Sequence, residues 1–155
     1  YAHSREFTVW TFRFANIVGP RLTPGQVMVD FIQKLQSDPT TLEILGDGRQ
    51  EKSYMHIDDC VDAMCYVVEE AVDSLNVYNL GTESTTSVKT IADIVATGMD
   101  LDPEYTFTGG DRGWVGDVPK MRLAIDRLID LGWKPALSST EAVERATDEL
   151  ISQYA

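Results

Sequence analysis

Residues 7–14, FTVWTFRF, consist almost entirely of β-branched and aromatic residues, a composition typical of a β-strand. The next stretch, NIVGPRLTPG at 16–25, ends this strand with two glycines and two prolines. From Val27 to Gln36 the apolar residues recur with a helical period, which predicts a helix. The chain therefore begins with a strand, a turn and a helix.

The same order continues to the end of the chain. Further strands are predicted at 42–45, 52–57, 76–81 and 105–108, and further helices after Asp58, over 88–98, over roughly 122–131 and over 139–153. We expect Asp58 and Ser87 to cap the helices that follow them, because short polar side chains accept hydrogen bonds from the free amides at a helix start. Strands that alternate with helices indicate an α/β fold.

Composition excludes several classes of function. No apolar run approaches the ~20 residues of a membrane span, so we expect no membrane partner. The net charge of -12 repels a phosphodiester backbone, so we expect no nucleic-acid partner. The surplus of acidic residues suits either a high-salt cytoplasm or an ordinary acidic protein, and the sequence does not separate the two.

Targeting and metal signals are missing from the sequence as well. No secretory signal opens the chain, so we expect a cytoplasmic protein. Cys60 and Cys65 stand five residues apart, and His3 and His56 are far from each other, so the spacing predicts no metal site.

The stretch GGDRGWVGDVP, residues 109–119, spaces three glycines as G-x-x-G-x-x-G over 110–116. A dinucleotide loop with this spacing must lead into a helix whose N-terminus faces the pyrophosphate. Asp117-Val118-Pro119 is not such a helix start, so the spacing argues weakly for a dinucleotide site. Arg112 fits a different role, because a guanidinium grips phosphate with two hydrogen bonds.

Four stretches occur in the order and spacing of a known family: RFANIVGPR (13–21), GDGRQEKSYMHIDDCVDAM (46–64), YNLGTESTTSV (78–88) and GGDRGWVGDVPKMRLAIDRLIDLGWKP (109–135). Over the whole chain, 1–155, the sequence resembles the C-terminal, substrate-binding half of the extended short-chain dehydrogenases/reductases. Within that family it is most similar to the nucleotide-sugar epimerase/dehydratase branch and its UDP-glucose 4-epimerases. The resemblance implies the C-terminal part of a Rossmann-type parallel sheet (1–25 and about 46–80) plus a small α/β substrate-binding lobe (about 26–45 and 82–155).

The resemblance also implies a nucleotide-sugar site. Asn16 would hydrogen-bond the sugar nucleotide, and Lys52 and Arg112 would hold the diphosphate. Asp117 would lie near the nucleotide ribose, and the wall of the uracil pocket would come from Glu43, Ile44 and Leu45. Ala15 and Ile17 would lie against the nicotinamide ribose of NAD. The family more often has arginine where this chain has Lys52, which lacks the planar fork of a guanidinium.

The family's catalytic machinery does not occur in this sequence. Its base is the tyrosine of a Y-x-x-x-K motif, and the nearest imitation here is Tyr1-Ala-His-Ser-Arg5, on what resembles the tail of a helix. We therefore expect no catalytic residue in this chain, NAD bound mainly by an absent N-terminal half, and no turnover by the chain alone. The resemblance implies a UDP-sugar or related nucleotide sugar and the missing half as partners, and a possible homodimer of the full protein.

Other functions stay open at this point. The chain could be half of a nucleotide-sugar dehydratase or decarboxylase, or a binding or assembly module that uses the fold without the chemistry. It could also be a genuine dinucleotide binder that uses residues 110–116.

Overall fold

A computed structural model describes residues 7–154, which form an α/β fold. The predicted helix tail with Tyr1 and Arg5 lies outside the described residues. The strands are β1 (Val9–Phe14), β2 (Asn16–Val18), β3 (Thr41–Ile44), β4 (Glu51–Lys52), β5 (Tyr54–His56), β6 (Leu75–Leu80), β7 (Thr86–Ser87), β8 (Glu104–Phe107) and β9 (Lys120–Met121). The helices are α1 (Val27–Ser37), α2 (Ile57–Glu70), α3 (Val88–Gly98), α4 (Asp126–Asp130) and α5 (Ser139–Tyr154).

Most strand pairs are parallel, as the predicted alternation of strands and helices requires. β1 pairs with β6 in a register that runs from Val9 opposite Leu75 to Phe14 opposite Leu80. β2 pairs with β5, and β3 pairs with β8, also in parallel. The short strand β4 lies between antiparallel β7 and parallel β9. The expected α/β class with parallel strands is therefore confirmed.

Two clusters of buried apolar side chains hold these elements together. The first joins one face each of α1, α3 and α5 to β3, and includes Ile32, Leu42, Ile91, Val143 and Leu150. The second joins α2 to β1 and β6, and includes Met55, Ala63, Val67, Tyr78, Leu80, Ile125, Leu128 and Trp133. The segment 125–133 thus contacts the sheet of β1 and β6, and the expected division into sheet and lobe segments remains a prediction.

The predicted strand 52–57 is divided in two at Ser53. The Ser53 amide donates to the Met121 carbonyl at 3.0 Å, and the Ser53 carbonyl accepts from the Asn16 amide at 3.2 Å. The chain therefore changes its pairing partner at Ser53, from β9 on one side to β2 on the other. The predicted helix 122–131 is shorter than expected, since α4 begins at Asp126.

One predicted helix cap is wrong and the other is confirmed. The helix α2 begins at Ile57, so Asp58 lies inside its first turn, and the cap is His56, whose Nδ1 accepts from the Asp58 amide at 3.2 Å. Asp58 instead forms an ion pair with Arg145 of α5. Ser87 caps α3 as expected, because its Oγ accepts from the Thr90 amide at 3.0 Å.

Among the helices in residues 7–154, none combines the length and the apolar character needed to cross a membrane.

Candidate functional site

A cavity of about 950 Å³ opens between the strand pair β2–β5, helix α1 and the loop around Gly113. Its wall contains apolar side chains, an ion pair and polar side chains. The lining includes Asn16, Ile17, Lys34, Glu43, Leu45, Gln50, Lys52, Tyr54, Gly113, Trp114 and Asp117.

Three side chains from one extended stretch line the cavity at intervals of two residues: Gln50, Lys52 and Tyr54. Successive side chains of a strand point to opposite faces, which explains the spacing. Glu51 and Ser53 accordingly bond elsewhere: Glu51 accepts from Thr85 at 3.1 Å, and Ser53 lies 2.9 Å from the Thr82 hydroxyl. At about 3.3 Å per residue, the row from Gln50 to Tyr54 spans ~13 Å of the wall.

Asn16 lies at the same end of the cavity as Tyr54, because the two residues are opposite each other in the β2–β5 register. The Asn16 side-chain amide donates to the Ser53 carbonyl at 3.3 Å. Its carbonyl oxygen remains an acceptor for a ligand on the cavity side. The wall therefore offers an amide at either end of the row and a cation between them.

That cation, Lys52, forms an ion pair with Asp117 at 2.6 Å between Nζ and Oδ1. Asp117 is buried at 7% exposure, and its Oδ2 accepts from the Gly113 amide at 3.1 Å. Burial acts to raise the pKa of the Asp117 carboxyl, but the hydrogen bonds from Lys52 and Gly113 outweigh burial, so that the pKa lies below its ordinary value. Asp117 is thus ionised at neutral pH and neutralises Lys52 in this structure.

Tyr54 is 7% exposed, and burial together with the nearby Asp117 charge raises the pKa of its phenol to about 12. Both effects disfavour phenolate. The Tyr54 hydroxyl therefore keeps its proton at neutral pH and can donate a hydrogen bond. A general base needs the opposite shift, so Tyr54 is unsuited to that role.

The structure brings six of the nine predicted site residues to the cavity: Asn16, Ile17, Glu43, Leu45, Lys52 and Asp117. Ala15 is buried outside the lining. Ile44 is fully buried in the first core cluster, and its carbonyl accepts from the Thr108 amide at 3.1 Å. The wall near Ile44 is therefore built from its neighbours Glu43 and Leu45.

Arg112 does not line the cavity; its side chain is exposed and contacts no hydrogen-bond or ion-pair partner within residues 7–154. The Arg112 carbonyl would lie 3.0 Å from a Cβ placed on Gly46. The backbone of the 109–118 loop thus rests on Gly46 while the guanidinium points to solvent. After Gly116 the chain continues into β9 (Lys120–Met121), and no helix follows the glycine spacing before α4 at Asp126.

Sequence reasoning missed Gln50 and Tyr54. For Tyr54 the signal was present, because it stands two residues from Lys52 in the segment 52–57 that is predicted to be extended, whereas Gln50 lies outside that segment. Within residues 7–154, no group of three or more His, Cys, Asp and Glu side chains could hold a metal ion.

Comparisons with known proteins point to one family. The NAD dependent epimerase/dehydratase family matches residues 1–81. A UDP-glucose 4-epimerase of Mycolicibacterium smegmatis is 29% identical over 138 residues, which are 86% of this chain and 42% of the relative. Dehydratases and decarboxylases of nucleotide sugars are among the further relatives.

Solved structures agree with this match. The crystal structure of a UDP-galactose 4-epimerase superposes with a TM-score of 0.85 at 35% identity, covering 100% of this chain and 50% of that one. A UDP-glucose 4-epimerase of Thermotoga maritima, solved with UDP-glucose, has a TM-score of 0.82 at 25% identity, covering 99% and 49%. The chain therefore spans about half the length of the proteins it matches, or less.

Proposed function

Since this chain belongs to the NAD dependent epimerase/dehydratase family, we propose that it is the nucleotide-sugar-binding half of an NAD-dependent epimerase acting on UDP-hexoses. The observation that carries the proposal is the row of Gln50, Lys52 and Tyr54 along one wall of the cavity. A nucleoside diphosphate sugar has a base, a charged diphosphate and a hexose in the same order. The Thermotoga maritima protein solved with UDP-glucose supports the ligand class.

In this proposal the diphosphate lies at Lys52. Its oxygens compete with Asp117 for the ammonium, and Asp117 then turns its acceptors to the nucleotide ribose. A charge-assisted hydrogen bond of this kind contributes about 1.5 to 3 kcal/mol. An acidic protein needs such a local cation to hold a dianionic ligand.

The hexose lies at the Asn16 and Tyr54 end, where Asn16 offers an acceptor and Tyr54 a donor. The base lies at the other end, against the wall formed by Glu43 and Leu45, and Ile44 supports this wall from the first core cluster. This arrangement assigns Asn16, Lys52 and Asp117 each to the part of the ligand that its chemistry suits.

In this proposal Arg112 reaches the diphosphate through a change in the conformation of the 109–118 loop. Gly109 and Gly110 have φ values of 82° and 84°, and both stand in open space with no neighbouring atom within 4 Å of a Cβ position. Glycine tolerates either sign of φ, so these two residues can reorient the chain that carries Arg112. We propose that bound diphosphate draws the Arg112 guanidinium inward.

NAD is the cofactor in this proposal, and when bound it supplies the acceptor for hydride from the hexose. Ile17 lines the cavity beside Asn16, and Ala15 packs so closely beneath Gly81 that a Cβ there would lie 3.1 Å from Ala15 Cβ. In the proposal these two residues lie against the nicotinamide ribose, Ile17 through its side chain and Ala15 from the buried layer beneath it. The rest of the NAD site and the catalytic base belong to a second half, so we expect no turnover of UDP-glucose by this chain alone.

Calorimetric titration with UDP, UDP-glucose and NAD tests the proposal. We expect UDP and UDP-glucose to bind and NAD alone to bind weakly or not at all. Arg112→Ala should lower UDP affinity about 10-fold or more, since a charge-assisted contact is lost. The matched control is Arg49→Ala, an exposed arginine outside the cavity, which should leave affinity unchanged.

Other outcomes would point elsewhere. Absence of UDP binding by the wild-type chain would contradict the proposal and favour an assembly module. Binding of NAD without UDP would favour a dinucleotide site at 110–116. Preference for UDP-glucuronate over UDP-glucose would favour half of a decarboxylase or of an epimerase that acts on UDP-glucuronate.

A further inference from the structure

Trp114 stands at the mouth of the cavity and lines it, yet the residue is 66% exposed. Exposing so large an aromatic side chain forgoes much of the free energy that its burial would provide. An exposed aromatic at the edge of a ligand cavity is typical of a binding surface rather than of a packing residue.

The indole is held in place by its own turn. The Asp117 amide donates to the Trp114 carbonyl at 3.0 Å, and the Asp117 carboxylate accepts from the Gly113 amide at 3.1 Å. Gly116 lies directly against the ring, because a Cβ at that position would be 2.3 Å from Trp114 Cζ3. Any other residue at 116 would therefore displace the indole. The ring is positioned before a ligand arrives, which lowers the entropy cost of using it.

Leu45 lies next to this turn and is also unusually exposed, at 47%. A Cβ on Gly113 would lie 3.6 Å from Leu45 Cβ, so Leu45 is next to the turn that carries Trp114. Both side chains line the same end of the cavity. Together they give that end two apolar surfaces.

The polar side chain of Gln50 lines the cavity together with Leu45 and Trp114. Gln50 is 2% exposed, and its Nε2 donates to the Leu45 carbonyl at 3.1 Å, which fixes the orientation of the amide. Its Oε1 is buried without a hydrogen-bond partner among residues 7–154. This end of the cavity therefore combines two exposed apolar side chains with a buried amide, and the apolar side chains suit a flat heterocycle.

We infer that Trp114 stacks on the nucleobase of the nucleotide sugar and sets the preference for a base at this end of the cavity. The inference rests on the proposed function, which already places the base at the Gln50 end of the row. Stacking of a base on an aromatic side chain contributes about 1 to 3 kcal/mol by alanine substitution. The hexose lies at Tyr54, about 13 Å along the strand from Gln50 at the base end.

The test compares ligands with and without a base on the wild type, Trp114→Ala, Trp114→Phe and the control Val115→Ala. Val115 is 95% exposed and stands next to Trp114 without lining the cavity. Trp114→Ala should weaken UDP binding by about 5- to 150-fold, the fold-change that corresponds to the stacking energy. Inorganic pyrophosphate should bind all four proteins alike, and Trp114→Phe should keep most of the UDP affinity.

Fluorescence gives an independent readout. The chain contains three tryptophans, at 10, 114 and 133. UDP should quench the wild-type emission, and the quench should disappear in Trp114→Phe although calorimetry still detects UDP binding.

Several results would overturn the inference. If Trp114→Ala binds UDP like the wild type, or if the quench persists in Trp114→Phe, Trp114 does not stack on the base, while the proposed function stands. Equal loss of UDP and pyrophosphate would mean that Trp114 merely supports its loop. If the wild-type chain does not bind UDP at all, the proposed function fails and this inference fails with it.

Discussion

At the scale of single residues, the proposed function gives Lys52 and Asp117 two roles that oppose each other. Their ion pair joins the cavity wall before a ligand binds, and in the proposal the same contact loosens when Lys52 turns to a diphosphate. Asp117 is 7% exposed, so its charge needs a partner in the folded chain. The pair therefore links the stability of the fold to occupancy of the site.

Lys52→Met should consequently destabilise the chain at neutral pH. The change leaves the buried Asp117 carboxylate with the Gly113 amide but without its cation, and we expect a loss of about 1 to 3 kcal/mol in the free energy of unfolding, less than for a fully buried pair because Lys52 is partly exposed. The double variant Lys52→Met/Asp117→Asn should recover part of this loss. Urea denaturation at pH 7 measures both variants. Equal stability of Lys52→Met and wild type would show that the pair contributes nothing.

The same variant makes a prediction about acid stability. The lowered pKa of Asp117 gives the wild type a stabilising contribution that is full above the ordinary carboxyl pKa of 3.8 and is lost as the pH falls through the lower folded value. In Lys52→Met, burial remains while the main hydrogen bond that lowers the pKa is removed. The decline in stability between about pH 5 and pH 2 should therefore be shallower in the variant than in the wild type. A steeper decline would contradict this account of the pair.

At the scale of elements, the two predicted helix caps differ in outcome. Ser87 caps its helix as the local rule predicts, whereas Asp58 forms a tertiary ion pair instead. Ser87→Ala should cost about 1 kcal/mol, because the Thr90 amide loses its acceptor at the start of α3. Asp58→Ala should cost less, since His56 caps α2 and Asp58 contributes an exposed ion pair. Denaturation of both variants side by side compares the two losses. A larger loss for Asp58→Ala would restore Asp58 as the functional cap.

The elements also show how far the sequence predicts the structure. The helices α3 and α5 agree with the prediction to within one residue, because their apolar positions follow the helical period over three turns or more. The strands β4, β7 and β9 each contain two residues, and nothing local distinguishes such strands from loop. They exist because tertiary contacts bring their backbones together, which no window of sequence reports.

The residues of the candidate site were likewise predicted only in part. Resemblance to a family suffices to name Asn16, Lys52 and Asp117, and the structure brings all three to one cavity. Resemblance does not place Arg112, because its side chain belongs to a glycine-rich loop, with Gly109 and Gly110 at positive φ, whose conformation no local pattern predicts. Tyr54 follows from the period of two around Lys52 once the segment is known to be extended.

At the scale of the whole molecule, the cavity lies where the two core clusters meet. On β5, Tyr54 belongs to the first cluster and its neighbour Met55 to the second. On β2, Val18 belongs to the first cluster while Ile17 packs against the second. The strand pair β2–β5 therefore forms the boundary between the two clusters. We expect a ligand held at Asn16 and Tyr54 to stabilise both clusters together.

The charge of the whole chain leads to a last prediction, on salt. The sequence has 25 acidic and 13 basic residues, so repulsion between carboxylates acts on the folded state as a whole. Raising KCl from about 0.1 to 1 M shortens the screening length from about 10 to 3 Å, which removes this repulsion and weakens exposed ion pairs worth at most about 1 kcal/mol each. We expect the free energy of unfolding to rise over this range, with sucrose of equal osmolarity as the uncharged control.

UDP affinity should fall over the same range of salt, because in the proposed site a cation holds a phosphate. If stability and UDP affinity changed in the same direction with salt, one of these two electrostatic assignments would be wrong. A rise in both would exclude a cation at the diphosphate. A fall in both would exclude net repulsion in the folded chain.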